Sequence, residues 1–156
     1  MHSASHKALI QKFYSCLAAR DAAGMAACYH PDVLFSDPVF VDLRGARARG
    51  MWRMLCERGV DLEIEASGIA ADEQAGRAHW EAWYTYSATG RRVHNSIDAR
   101  FIFRDSLIAE HRDHFDLWAW ASQALGMPGR LLGWAPPFQN AIRRRAGAAL
   151  DGFLAK

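Results

Sequence analysis

Along the first third of the chain, apolar side chains recur every three or four residues. Through the middle they alternate, and toward the end the helical spacing returns. Leu9, Ile10, Phe13, Tyr14 and Leu17 share one face of a helix starting near Ser5, with Ser3 or Ser5 as its N-cap. A second short helix from Asp21 must end near Tyr29, because Pro31 disfavours the α conformation at His30. Residues 33–40, "VLFSDPVF", read as a short strand. A third helix over about residues 46–58 stacks Ala48, Met51, Trp52, Leu55 and Cys56 on one face, and Gly59 closes it.

After Gly59 the period changes to two. Val60, Leu62, Ile64 and Ala66 alternate with Asp61, Glu63, Glu65 and Ser67, the mark of a strand with one wet face. "ADEQAG", Gly90 and "RDS" then separate three more alternating runs, which predicts a four-stranded antiparallel meander. Trp80, Ala82, Tyr84 and Tyr86 share one side of their strand, opposite His79, Glu81 and Trp83. Asn95, Ile97, Ala99, Phe101 and Phe103 share a side of the next. "WAWASQALG" reads as a helix capped by Gly126, "MPGRLLGWAPP" as an irregular connection, and residues 138–154 as a closing helix. Helices followed by a curved, mainly antiparallel sheet give an α+β class. The expected organisation is one domain over residues 1–126 with a C-terminal helical extension over 127–156, packed on the same domain or on a partner subunit.

Composition narrows this picture. A chain of 156 residues, 51% of them hydrophobic, fits one globular core. A net charge of +2 with mixed signs argues against a nucleic-acid partner. The N-terminus lacks the apolar run of a signal peptide, and no stretch reaches membrane-spanning length, so a cytoplasmic protein with no membrane partner is expected. Cys16, Cys28 and Cys56 are odd in number, far apart and at apolar positions, which suits buried thiols. No Gly-rich phosphate loop or nucleophile elbow occurs. Arg143, Arg144 and Arg145 read as the wet face of the last helix.

Asp37 poses the chemical question. It stands before Pro38, held extended, among Val33, Leu34, Phe35, Val39 and Phe40. It is either an Asx-type turn residue facing water or an acid or base kept in an apolar pocket.

"FYSCLAARDAAGMAACYHPDVLFSDPVF", "ARFIFRDSLIAEHRDHFD" and the order of elements resemble the nuclear transport factor 2-like superfamily, which includes ketosteroid isomerases, SnoaL-like polyketide cyclases and limonene epoxide hydrolases. The resemblance covers about residues 7–126. It implies a cone-shaped fold with an apolar cavity between the first helix and a strongly bent sheet. It also implies that Asp37 matches the isomerase general base. The isomerase's first-helix tyrosine falls on Phe13, with Tyr14 one residue later, and its protonated aspartate falls on Ala99, so steroid isomerisation itself is not expected. The isomerase's pairing of a base with a proton-donating oxyanion hole therefore does not transfer directly. On the last strand the match puts Ala109, His111, Asp113 and Phe115 inside.

His111 and Asp113, two apart on an otherwise apolar strand, form either a proton relay or a satisfied structural pair. They supply only two metal ligands, with His114 and Asp116 on the other side, so no metal site is expected. The catalytic candidates are thus Asp37, His111 and Asp113. Tyr14, Phe35, Trp52, Trp80, Tyr84, Asn95, Phe101 and Phe115 are the expected substrate-binding wall. The function expected is a cofactor-free acid/base enzyme of isomerase, cyclase or hydrolase type acting on a small hydrophobic carbonyl-bearing or cyclic molecule. The alternative is a noncatalytic hydrophobic-ligand-binding or dimeric adaptor module. The convex side, with Trp83, Ile102 and Ile108 among His79, Glu81, His94, Asp98, Arg100, Arg112 and His114, suits a self-complementary contact, and a homodimer is expected through it. Leu131, Leu132, Trp134, Phe138 and Ile142 are expected to dock, either on their own domain or on the partner.

Overall fold

A computed structural model describes residues 2–156, with side chains from residue 4 onward. Helix α1 (His2–Ala18) buries Ile10, Phe13, Tyr14 and Leu17, the face that the spacing defines. The helix reaches back to His2, so Ser5 lies inside it and is not its cap; the side chain of Ser3 lies outside the described residues. In α2 (Ala22–Cys28), Asp21 is the N-cap and its carboxylate accepts from the Gly24 amide at 2.9 Å, satisfying a donor the helix cannot.

Strand β1 (Tyr29–Ser36) begins earlier and ends earlier than its apolar run suggests. Pro31 and Asp32 are exposed where the pairing register shifts between Tyr29 and Leu34, and such an irregularity accommodates a proline. The strand stops at Ser36 because residues 37–40 turn back on themselves: the Asp37 amide donates to Phe40 O at 2.8 Å. A two-residue β2 (Leu43–Arg44) then pairs with β1, and α3 (Ala46–Arg58) follows at the expected bounds. Its buried face holds Ala48, Met51, Trp52 and Cys56, whereas Leu55 remains partly exposed at a cavity rim.

The meander consists of β3 (Glu63–Ala71), β4 (Ala75–Tyr86), β5 (Arg91–Arg104) and β6 (Leu107–His114). Val60 is exposed and outside β3, because Leu62 N bonds Gly59 O in a turn. The curved, unclosed sheet runs β2-β1-β6-β5-β4-β3, antiparallel throughout except for the parallel β1–β6 pair. Along β5, residues alternate strictly between buried and exposed from Arg92 to Arg104. The β5–β6 register slips between Ile102 and Phe103, and this places Ile108 opposite Phe103 and fully inside the core. Ile108 is therefore not on the convex face as expected, a reversal that one extra residue in a ladder produces.

Helix α4 (Leu117–Leu125) is N-capped by Asp116, and Gly126 ends it with φ 70. The expected irregular connection contains a helix, α5 (Met127–Leu132), with Pro128 in its first turn, where a missing N–H costs nothing. For the same reason α6 (Pro136–Leu154) starts two residues before its expected beginning. It packs on α3: Ile142 and Leu150 are buried, Arg47 pairs with Asp151 at 2.6 Å, and Arg53 lies 5.0 Å over the Phe153 ring. Arg144 and Arg145 are exposed, and Arg143 is only partly so, its Nε donating to Pro38 O at 2.8 Å. Leu131, Leu132 and Trp134 remain at least half exposed, whereas Ile142 and Phe138 pack into the core beside α4. No described helix is long and apolar enough to cross a membrane. Cys28 and Cys56 are buried, Cys16 is partly so, and all three are free.

One apolar core lies between the sheet and helices α1 to α3, and a second, around Val93, Leu117, Trp120, Ala121 and Ile142, lies between the sheet, α4 and α6. The cavity opens where the two meet.

Candidate active site

Leu17, α3, Trp120 of α4, α6 and the concave faces of β4 and β5 enclose a cavity of about 210 Å³. Its walls are mainly apolar, and two carboxyl groups reach it, Asp37 and Asp113. Asp37 is both a turn residue and part of the cavity wall. Its Oδ1 accepts from Val39 N at 2.7 Å and Phe40 N at 2.6 Å, an Asx-type turn, while the residue itself lines the cavity and Oδ2 takes no part in the turn. Burial pushes the Asp37 carboxyl up from 3.8 to about 7, the Phe40 amide opposes the rise, the nearby charge of Asp113 adds to it, and the Val39 amide again opposes it. A group balanced near neutral pH can both take and return a proton.

Asp113 is held from behind. Trp52 Nε1 donates to Tyr29 Oη at 2.8 Å, Tyr29 Oη lies 2.7 Å from His111 Nδ1, and His111 Nε2 lies 2.8 Å from Asp113 Oδ1. An indole N–H can only donate, so the Tyr29 oxygen accepts from Trp52. The buried Tyr29 proton then has one acceptor in this chain of bonds, His111 Nδ1. A neutral His111 ring then carries its proton on Nε2, pointed at Asp113 Oδ1. All four residues are at least 97% buried, so every donor in the chain needs the partner it has. The rings of Phe13, Phe35, Trp52 and Phe101 pack around the imidazole, with Trp52 stacked at 6.1 Å and 12°. Burial, followed by the Asp113 charge, raises both Tyr29 and Tyr14 well above the usual phenol range, so neither hydroxyl is a ready source of protons.

Of the residues the sequence singles out, Asp37, Asp113, Trp52, Trp80, Tyr84, Asn95 and Phe115 reach the cavity. His111, Tyr14, Phe35 and Phe101 do not. They belong to the layer beneath it, His111 being fully buried, and His111 can act on a ligand only through Asp113. Tyr29 and Trp120 escape the sequence reading. Tyr29 looks like the end of a helix, and nothing local marks its bond to a histidine 82 residues away. Trp120 sits in an apolar helix, and its donation to Tyr84 Oη at 2.7 Å is likewise long-range. Burial raises the Tyr84 hydroxyl to about 12, with the Trp120 bond opposing and the Asp37 charge adding to the shift. Phe13 and Ala99, at the positions where the isomerase carries its two donors, are buried and apolar. Among the described residues no group of three or more His, Cys, Asp or Glu is arranged to hold a metal ion.

Residues 10–111 match the family model of the SnoaL-like domain. The chain belongs to that family. The match ends just before Asp113 and leaves α4 to α6 outside it. Solved structures of similar fold include several enzymes. An LEH-like epoxide hydrolase from M. tuberculosis is 20% identical with a TM-score of 0.65, covering 87% of this chain and 99% of that one. A provisionally assigned SnoaL-like polyketide cyclase from Jannaschia sp. CCS1 is 13% identical with a TM-score of 0.70, covering 81% and 94%. A provisionally assigned ketosteroid isomerase from Kribbella flavida is 17% identical with a TM-score of 0.58, covering 73% and 79%. At these identities the likeness carries the nuclear transport factor 2-like cone and no particular reaction. The chain matches no curated protein sequence.

Proposed function

We propose that this SnoaL-like protein is an acid/base enzyme that moves a proton on a small hydrophobic carbonyl-bearing or cyclic molecule. The observation that carries the reading is the pair of carboxyl groups in one apolar cavity, with Asp37 balanced near neutral pH beside Asp113. Asp37 is the proton carrier. His111 orients Asp113 through their 2.8 Å bond, and the Asp113 charge raises Asp37 and so strengthens it as a base. His111, Tyr29 and Trp52 are positioning residues in this scheme. The mainly apolar walls favour a substrate with little charge of its own.

Proton–deuteron exchange at the α-carbon of cyclic ketones such as 2-tetralone tests the proposal. Asp37→Asn keeps the shape and the turn but removes the proton acceptor, and exchange should fall by about a hundredfold or more. Equal exchange by wild type and variant would remove Asp37 from the mechanism. Binding of the ketone with no exchange by the wild type would favour the noncatalytic ligand-binding module instead.

We also propose that the protein works as a homodimer through the convex sheet face, where Ile102 is 43% exposed and Trp83 stacks on His94 at 4.8 Å. Apolar groups set among charges of both signs support a self-complementary contact there.

A further inference from the structure

Among the polar groups that line the cavity, Tyr84 and Asn95 stand apart from the two carboxyl groups. Trp120 Nε1 can only donate, so the Tyr84 oxygen spends a lone pair on it and keeps its own proton free. No acceptor among the described residues takes that proton. Asn95 is 8% exposed, and its carboxamide engages no partner among the described residues although it faces the cavity. The two residues are neighbours on one wall. Asn95 pairs with Ala82 across the β4–β5 ladder and Tyr84 with Val93, so Tyr84 and Asn95 are diagonal neighbours on the concave face, about 7–8 Å apart along the backbone and within mutual reach of their side chains. Both donors are open to the cavity rather than sealed in the core, so a ligand that supplies an acceptor meets them directly.

We propose that Tyr84 and Asn95 form a binding site for one acceptor oxygen of the ligand, which makes the ligand an apolar molecule carrying a carbonyl group turned toward the β4–β5 wall. This deepens the acid/base reading and rests on it for the ligand's further fate, but not for binding. The Trp120 bond gives the site its polarity: it fixes the orientation of the Tyr84 hydroxyl and, by drawing on its lone pair, makes it a stronger donor. A ligand oxygen held there leaves the rest of the molecule to extend toward Asp37 and Asp113.

The test compares two probes of one shape, 2-tetralone and 2-methylenetetralin, in which a CH2 replaces the carbonyl oxygen. Binding is followed by NMR titration in wild type, Tyr84→Phe, Asn95→Leu and Asp37→Asn. Each loss of a donor should weaken the ketone about 5–30-fold and leave the hydrocarbon within about twofold, since one hydrogen bond to a desolvated partner is at stake. Tyr84→Phe strands the Trp120 N–H, so Asn95→Leu, which strands nothing, serves as the second variant, and the hydrocarbon reports whether each cavity is intact. Parallel changes for both probes, an unchanged ketone affinity, or no ketone binding by the wild type overturns the site. Ketone binding that depends on Tyr84 and Asn95 but persists in Asp37→Asn, in a wild type that shows no exchange, counts against the acid/base reading and leaves this site standing.

Discussion

Replacing Asp37 by asparagine should make the folded protein more stable at neutral and alkaline pH, although it removes the proposed proton carrier. In the unfolded chain Asp37 ionises near 3.8, whereas in the fold it does so near 7. Between those values the native state holds a proton that the unfolded state has lost. The wild type therefore carries its full stability below about pH 4 and loses part of it as the pH rises toward 7, with no further loss from this group above that. The displacement from 3.8 to about 7 corresponds to roughly 4 kcal/mol against the ionised form. Asp37 keeps part of its surface open to the cavity, and solvent screening reduces this to about 2 kcal/mol. Asparagine has the same shape and retains an oxygen for the Val39 and Phe40 amides, so the turn survives. In a chain of this size the midpoint of thermal unfolding should then rise by about 4–8 °C at pH 8, with the two proteins converging below pH 4. Paired melts across pH 4–9, read by circular dichroism, measure the difference directly. Curves that stay parallel, or a variant that is less stable at pH 8, would refute the burial argument for Asp37.

Other perturbations separate the supporting parts. Tyr29→Phe leaves the Trp52 N–H and His111 Nδ1 buried and unpaired, so it should cost about 2–4 kcal/mol by denaturant unfolding; a cost near zero would mean the chain of bonds does not hold Asp113. Asp113→Asn should shift the His111 imidazole resonances in NMR, because the two side chains are bonded at 2.8 Å; unchanged resonances would mean that they do not interact in solution. A Cβ at Gly129 would overlap the Ala121 carbonyl oxygen, so Gly129→Ala should destabilise the α4–α5 corner by about 1–3 kcal/mol, and amide exchange confined to that corner should report it. Trp83→Arg should weaken the proposed dimer by placing an unpaired charge in the contact, and sedimentation of the wild type as a stable monomer at micromolar concentration would remove the dimer altogether.

The elements with a clear period were legible in the sequence. The face of α1, the bounds of α3 and the alternation of β5 follow from spacing alone, since each periodic stripe has one core to bury against. The departures occur where a nonlocal partner decides. Ile108 turns inward because the β5–β6 register slips, and nothing within "RDSLIAEH" records a slip. β1 ends at Ser36, although Val39 and Phe40 are apolar, because the Asp37 side chain bonds their amides. α5 and the first turn of α6 were hidden by prolines that read as breaks but occupy positions where a helix begins. At the site, Asp37, Asp113 and most of the wall were visible as polar or aromatic residues on a buried face. The depth of each was not: His111 and Phe101 face the same side as Asp113 but lie under α1, away from the cavity. Tyr29 and Trp120 matter through single long-range hydrogen bonds, which no local pattern encodes.

The most direct measurement is the ionisation of Asp37 itself, followed by the 13C shift of its carboxyl carbon in protein labelled at aspartate and assigned through Asp37→Asn. A midpoint near pH 7 is expected, moving lower in Asp113→Asn as the neighbouring charge is removed. A midpoint near 4, insensitive to Asp113, would contradict the claim that this cavity holds a carboxyl group poised to exchange protons at neutral pH.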